Sequence, residues 1–131
     1  MHFHEDDRAQ RFCNIFPVQG AQIMASRIRS PGHIVAWHLH HEKTDWWCCL
    51  QGSFKVGLVD MLGGDGNEVQ WEYLSDHNPQ TLIIPPYTAH GYTALEPNSI
   101  MLYYMDKEYD ESDELRLPVG HFNEEWQIPN K

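Results

Sequence analysis

Four side chains able to bind a metal or move a proton lie close together in the chain. His38 and His40 stand at i and i+2, Asp45 follows after His41-Glu42-Lys43-Thr44, and His90 comes just after Pro85-Pro86-Tyr87-Thr88-Ala89. Residues two apart on a strand point to the same face, so His38 and His40 present both imidazoles to one side. Three imidazoles and one carboxylate that converge suit a borderline divalent ion such as iron, manganese, nickel or zinc. The chain has nine histidines. His33 and His41 fall outside the set by parity or loop position, His77 sits in a polar loop, and His121 lies near the end. His2 and His4 repeat the i, i+2 pattern at the start of the chain.

The elements that must position these groups read as short strands. Ile34 to His40 is one. Asp45 to Leu50 and Phe54 to Asp60 read as a hairpin around Gln51-Gly52-Ser53. Gly63-Gly64-Asp65-Gly66-Asn67 is a strong breaker. Val69 to Leu74, Thr81 to Ile84, His90 to Leu95 and Ile100 to Asp106 complete the series, with one or two weaker strands between Phe12 and Arg29. Many short strands joined by turns, and few helix signals, predict an all-β sandwich or barrel. The 131 residues make one domain's worth of chain. The expected layout is a mobile stretch at 1–10, a barrel core at 32–106, and an irregular tail at 109–131 pinned by Phe122, Trp126 and Ile128. Parity puts Trp47 with Asp45 and Tyr92 with His90 on the pocket wall, with Tyr104 a further candidate. Such rings could stack on a sugar or a base. Trp37 should face away from His38.

Charge excludes some functions. The formal net charge is −10 and no basic stripe offsets it, so nucleic acid is not an expected partner. Arg27 and Arg29 could still form a local positive patch for an anionic ligand. No apolar run is long enough to span a bilayer. The acidic start has no secretory h-region, so the expected compartment is the cytoplasm. Cys13, Cys48 and Cys49 read as free thiols, since neighbouring strand residues point apart.

The spacing Gly32, five residues, His38-Leu39-His40, four residues, Asp45, six residues, Gly52 resembles the first cupin motif, with Asp45 where cupins usually carry glutamate. Pro85 to His90 resembles the second, with Tyr87 in place of glycine. The resemblance runs from residue 32 to about residue 94. It implies a double-stranded β-helix (jelly-roll) barrel, in which positions matching His38, His40, Asp45 and His90 hold a metal.

Other segments resemble the dTDP-4-dehydrorhamnose 3,5-epimerase family, itself of cupin fold. These are Gly52-Ser53-Phe54-Lys55-Val56-Gly57-Leu58-Val59-Asp60, the run Leu82 to Tyr92, Leu102-Tyr103 with Glu108-Tyr109-Asp110, and Glu125-Trp126-Gln127-Ile128-Pro129-Asn130. That family works without metal: a histidine removes a proton beside a ketone and a tyrosine returns one on the opposite face. The resemblance implies His38 as base, His90 as second pocket histidine and Tyr109, or Tyr104, as acid, in a homodimer. Val35 stands where the family carries arginine. Asp45 stands where it carries the lysine that supports the enolate. The aspartate that orients the family's base falls beyond Lys131. These departures suggest that a divalent transition metal took over the electrophile's role, with His40 and Asp45 as gained ligands. The leading expectation is therefore a sugar epimerase or isomerase acting on a keto-sugar or nucleotide-linked sugar, with metal assistance. The alternatives are a metal-dependent cupin oxygenase or other small-molecule isomerase, and a non-catalytic sugar- or metal-binding cupin.

Overall fold

The computed structural model describes residues 1–16, 22–63 and 68–128. Its strands are β1 (His2–Glu5), β2 (Gln10–Cys13), β3 (Gln22–Ile28), β4 (Ile34–His40), β5 (Asp45–Gln51), β6 (Ser53–Asp60), β7 (Gln70–Ser75), β8 (Thr81–Ile84), β9 (Thr88–Ala94), β10 (Ser99–Met105) and β11 (Glu114–Arg116). One turn of 3-10 helix, Glu111–Asp113, precedes β11. Among the described residues no helix is long and apolar enough to cross a membrane. Of the glycine-rich breaker, residues 64–67 lie outside the described residues, as do Pro129 and Asn130 of the tail motif.

β10 shows why such runs become strands. Ser99, Met101, Tyr103 and Met105 are buried while Ile100, Leu102 and Tyr104 are less so, the period of two that a half-buried strand requires. The strands form a four-stranded sheet, β3-β10-β5-β8, and a five-stranded sheet, β11-β4-β9-β6-β7. All pairings are antiparallel. Trp47, Phe54, Val56, Ile84, Tyr92 and Met101 form the core of buried residues that the two sheets share. The expected all-β jelly-roll architecture is present.

Three local expectations change. β5 and β6 are not a hairpin: β5 pairs with β10 and β8, whereas β6 pairs with β7 and β9. The turn between them is a corner that carries the chain from one sheet to the other. Gly52 makes the corner possible, with φ +76°, and a side chain there would collide with Ser99. The start of the chain carries regular structure, since β1 and β2 pair and Phe3 packs edge-on against Phe12 at 5.4 Å. The tail is more regular than expected, because β11 joins the five-stranded sheet beside β4.

The rest of the tail covers the outer face of that sheet. Trp126 packs against Trp37 and Trp71 at 5.2 and 4.9 Å, and Phe122 meets Trp37 edge-on. Buried Lys55 lies 4.2 Å above the Trp71 ring, and its ammonium donates to the Glu125 carbonyl at 2.8 Å. Trp37 thus faces away from His38, as parity requires. Ile128, by contrast, is exposed. Trp126→Ala should lower the unfolding free energy by about 3–5 kcal/mol in urea titrations, the usual cost of emptying a buried aromatic site. A loss below about 1 kcal/mol would show that the tail lies outside the cooperative unit.

Candidate functional site

The site lies in a cavity of about 410 Å³ lined by both sheets. A bulge in β4 sets which side chains reach it. Val35 is opposite Tyr92 and His38 is opposite His90, so three steps along β4 match two along β9. Residues three apart on a regular strand would point to opposite faces. The extra residue lets Val35 and His38 both line the cavity. Gly91 accommodates the bulge, since a Cβ there would press into Ala36 and the Val35 carbonyl. His40 follows His38 with strand parity. Asp45 arrives from the opposite sheet as the first residue of β5.

His40, Asp45 and His90 converge. One ligating atom from each lies within 4.8 Å of the others, and all three residues are buried. The Nδ1 of His90 is 2.9 Å from the Thr88 carbonyl, which can only accept, so Nδ1 carries the proton and Nε2 keeps its lone pair. Burial drives the His90 pKa down to about 3, assisted by the charges of His40, His38 and Lys43, against the Thr88 bond. Burial also lowers His40 to about 4, with Lys43 adding to the effect. Both rings are therefore free bases at neutral pH. Asp45 moves the other way: burial raises its carboxyl to about 6, against the Trp47 hydrogen bond and the Lys43 charge. Trp47 Nε1 donates to Asp45 Oδ2 at 3.2 Å, while Oδ1 is buried without a partner.

Of the four residues expected to hold a metal, His38 lies outside this close trio, though it lines the same cavity. Its Nδ1 is 2.9 Å from Glu114 Oε1, across the β4–β11 pairing. Burial pushes the Glu114 carboxyl up, but the bond and charge of His38, with Arg116, bring it below its ordinary value. Tyr109 lines the cavity at its mouth and is more than half exposed. Its hydroxyl pKa is raised, by partial desolvation first and then by the negative charges of Glu114 and Glu111. Lys43 is buried and lines the same cavity, with its ammonium 5.8 Å from the Tyr109 ring centre.

The dTDP-4-dehydrorhamnose 3,5-epimerase family matches residues 2–128 of this sequence. The chain belongs to that family. The spore coat polysaccharide biosynthesis protein SpsL of Bacillus subtilis (strain 168) is 33% identical over 93 residues, which cover 67% of this chain and 62% of SpsL. The chain thus spans about three-fifths of the length of the curated relatives it matches. Among solved structures, a dTDP-4-dehydrorhamnose 3,5-epimerase from Bacillus anthracis str. Ames with TDP and PPi bound superposes with a TM-score of 0.81 at 21% identity, covering 98% of this chain and 83% of that one. A sugar 3,4-ketoisomerase from Thermoanaerobacterium thermosaccharolyticum in complex with TDP gives a TM-score of 0.73 at 18% identity, covering 93% and 88%. At these identities the likeness is one of fold, and that fold is the cupin barrel.

Against the family expectations, the cavity holds His38, His90 and Tyr109, the three side chains matched to proton transfer. The aromatic wall is partly different. Trp47 and Tyr92 line the cavity but are nearly buried, and their rings meet edge-on at 5.5 Å. The Tyr92 hydroxyl is committed to Tyr103 at 2.6 Å. Tyr104 is a correction: it points outward, stacked on Phe16 at 4.5 Å, and its neighbour Tyr103 takes the inward position. Arg27 shares its parity with Ile23 and Ala25, whereas Gln22, Met24 and Ser26 of the same strand line the cavity; the cations that do so are Lys43 and Arg116. Two residues that sequence reasoning passed over thus matter here, Glu114 and Lys43. Glu114 falls in a stretch with no strand periodicity, and Lys43 in a short connection between strands.

The opposed pKa shifts give a stability signature. His40 and His90 contribute stability that is present above about pH 6.5 and is lost as pH falls towards 4 and 3. Asp45 has the opposite sign: its native form holds a proton up to about pH 6 that the unfolded chain releases near 4, so its contribution declines as pH rises between them. Two histidines against one carboxyl leave stability rising with pH through this window by about one proton's worth, near 1.4 kcal/mol per pH unit. In chelator-treated protein, Asp45→Asn should steepen that rise to about two protons' worth. Urea unfolding between about pH 4.5 and 6 checks this. Equal slopes in the two proteins would show that Asp45 is ionised throughout the window.

Proposed function

We propose that this chain is an epimerase or isomerase that moves a proton at the carbon beside the ketone of a nucleotide-linked keto-sugar. The observation that carries the reading is the His38–Glu114 pair. A carboxylate accepting from Nδ1–H fixes the ring and leaves the Nε2 lone pair free to take a proton. Removal of that proton sends the C–H electron pair to the carbonyl oxygen and forms an enolate. Tyr109, with its raised hydroxyl pKa, then gives a proton to the opposite face, which inverts the centre. Return of the proton to the former carbonyl carbon, with the neighbouring hydroxyl's proton passing to the former carbonyl oxygen, would move the ketone instead. The relatives support the substrate class, since the epimerase and the sugar 3,4-ketoisomerase named above both bind TDP.

The direct test is solvent deuterium exchange into a dTDP-4-keto-sugar. Wild-type protein should incorporate deuterium beside the ketone. His38→Ala should lower the rate by at least about 100-fold. Tyr109→Phe should retain exchange while losing net inversion, because proton removal survives and return to the far face does not. Folded protein that exchanges nothing would reject the substrate class; a binding module would still take up the nucleotide-sugar.

A second reading, metal assistance, is favoured by the buried and unpartnered Asp45 Oδ1 beside two neutral imidazoles. Two histidines and one carboxylate fit a divalent transition metal, with His40, Asp45 and His90 as the holding residues. Such an ion would polarise a carbonyl. Elemental analysis of protein purified without chelator should then find about one iron, manganese, nickel or zinc per chain, lost in His40→Ala. Metal-free protein that turns over at full rate would sink this reading and leave proton transfer intact.

A further inference from the structure

Proton removal beside a ketone needs positive charge at the carbonyl oxygen, where the electron pair arrives. We infer that Lys43 supplies that charge, and that Asp113 is the positioning residue that holds it in the cavity. The inference rests on the proton-transfer reading above.

Lys43 lies in the loop between β4 and β5 and is only 6% exposed, unusual for a lysine. It lines the cavity together with His38, His40, Asp45 and Tyr109. Two cationic side chains reach this cavity, and they are differently engaged. The Arg116 guanidinium lies 3.3 Å from Glu114 Oε2, on a side chain that is 70% exposed. Among the described residues Lys43 makes no ion pair, and its ammonium faces the Tyr109 ring at 5.8 Å. A lysine buried to this extent with no carboxylate paired to it leaves its charge available to an anion in the cavity. An enolate oxygen in the cavity is a partner of the right sign.

Asp113 is what fixes the loop. Its Oδ1 accepts from the backbone N–H groups of His41 and Glu42 at 2.9 and 3.0 Å, and its Oδ2 accepts from that of Lys43 at 3.3 Å. One carboxylate therefore gathers three consecutive amides. The ends of the loop are held elsewhere, by the Tyr87 N–H on the His40 carbonyl at 2.7 Å and by Asp106 on Thr44, so Asp113 is what gathers the amides between them. The next residue along, Glu114, holds His38. Adjacent side chains of one short segment thus position the base and the cation together.

The test measures deuterium exchange and turnover of a dTDP-4-keto-sugar in EDTA, on variants shown by circular dichroism to be folded. Lys43→Met should lower kcat by about 100- to 1,000-fold, with KM within about 3-fold of wild type. Lys43→Arg should recover part of the loss, because it restores charge without the same reach. Asp113→Asn should lower kcat by about 10-fold at unchanged KM and add nothing further in the Lys43→Met background. A Lys43→Met enzyme within about 3-fold of wild-type kcat would overturn the inference alone. Additive losses in the double variant would reduce Asp113 to a structural role. Abolition of wild-type activity by EDTA would assign the electrophile to an ion instead. Wild-type protein that exchanges no deuterium would overturn the proton-transfer reading and this inference with it.

Discussion

The pairing of β11 with β4 governs what the cavity contains. Three register pairs, Glu114 with His40, Leu115 with Leu39 and Arg116 with His38, bring a segment from late in the chain against the strand that carries both histidines. That contact places Glu114 on His38, Asp113 on the loop after His40, and Tyr109 and Arg116 at the mouth. The strand itself is weak by composition: three residues, one of them half-buried and two exposed. Its position is secured from the neighbouring segments, by the exchange of backbone hydrogen bonds between Trp37 and Leu117 at 3.0 Å and by the amides that Asp113 collects. A short edge strand is thereby held at both ends. The site and the fold share this interface, so the C-terminal segment is part of the cavity wall rather than an appendage.

The sequence made the strands and the facing of their side chains legible where parity alone decides. His38 with His40, Asp45 with Trp47, and His90 with Tyr92 each reach the cavity at a spacing of two. Parity failed where phase or long-range pairing decides. Tyr103 and Tyr104 are adjacent, so one must point inward, but which one depends on where the core lies relative to β10. The β5–β6 corner looks locally like a hairpin, and only the choice of partners, settled by residues tens of positions away, separates the two. The bulge in β4 is likewise invisible to periodicity, yet without it Val35 and His38 could not share a face.

His38 illustrates the same limit in chemical terms. Strand spacing correctly put it beside His40, and its ring centre is 6.2 Å from that of His90, only about an ångström further than His40's at 5.1 Å. What separates its role is a hydrogen bond to a residue 76 positions later. Shared facing is therefore a necessary condition for a ligand set and not a sufficient one. A partner on one ring nitrogen fixes the tautomer and leaves the other nitrogen its lone pair, for His38 with Glu114 as for His90 with Thr88.

Asp45 is the point where the charges of the cavity meet. An ionised carboxylate with one orphaned oxygen in a buried site carries a penalty above the roughly 1–3 kcal/mol of a neutral unsatisfied group. Three things could relieve it: its own proton, which the raised pKa of about 6 makes accessible in mild acid; a cation; or a donor on a bound ligand. Lys43 provides positive charge from two residues upstream, on a side chain long enough to reach the cavity from the loop. In the family that this sequence resembles, the supporting lysine stands at the position of Asp45. Here an anion occupies that position and a lysine lies just before it, so the cavity wall carries a cation and a carboxylate together. A divalent ion held by the trio would stand close to Lys43 with charge of the same sign, and the two would repel. One electrophile or the other is thus favoured, and a lysine already built into the wall needs no further binding step to act.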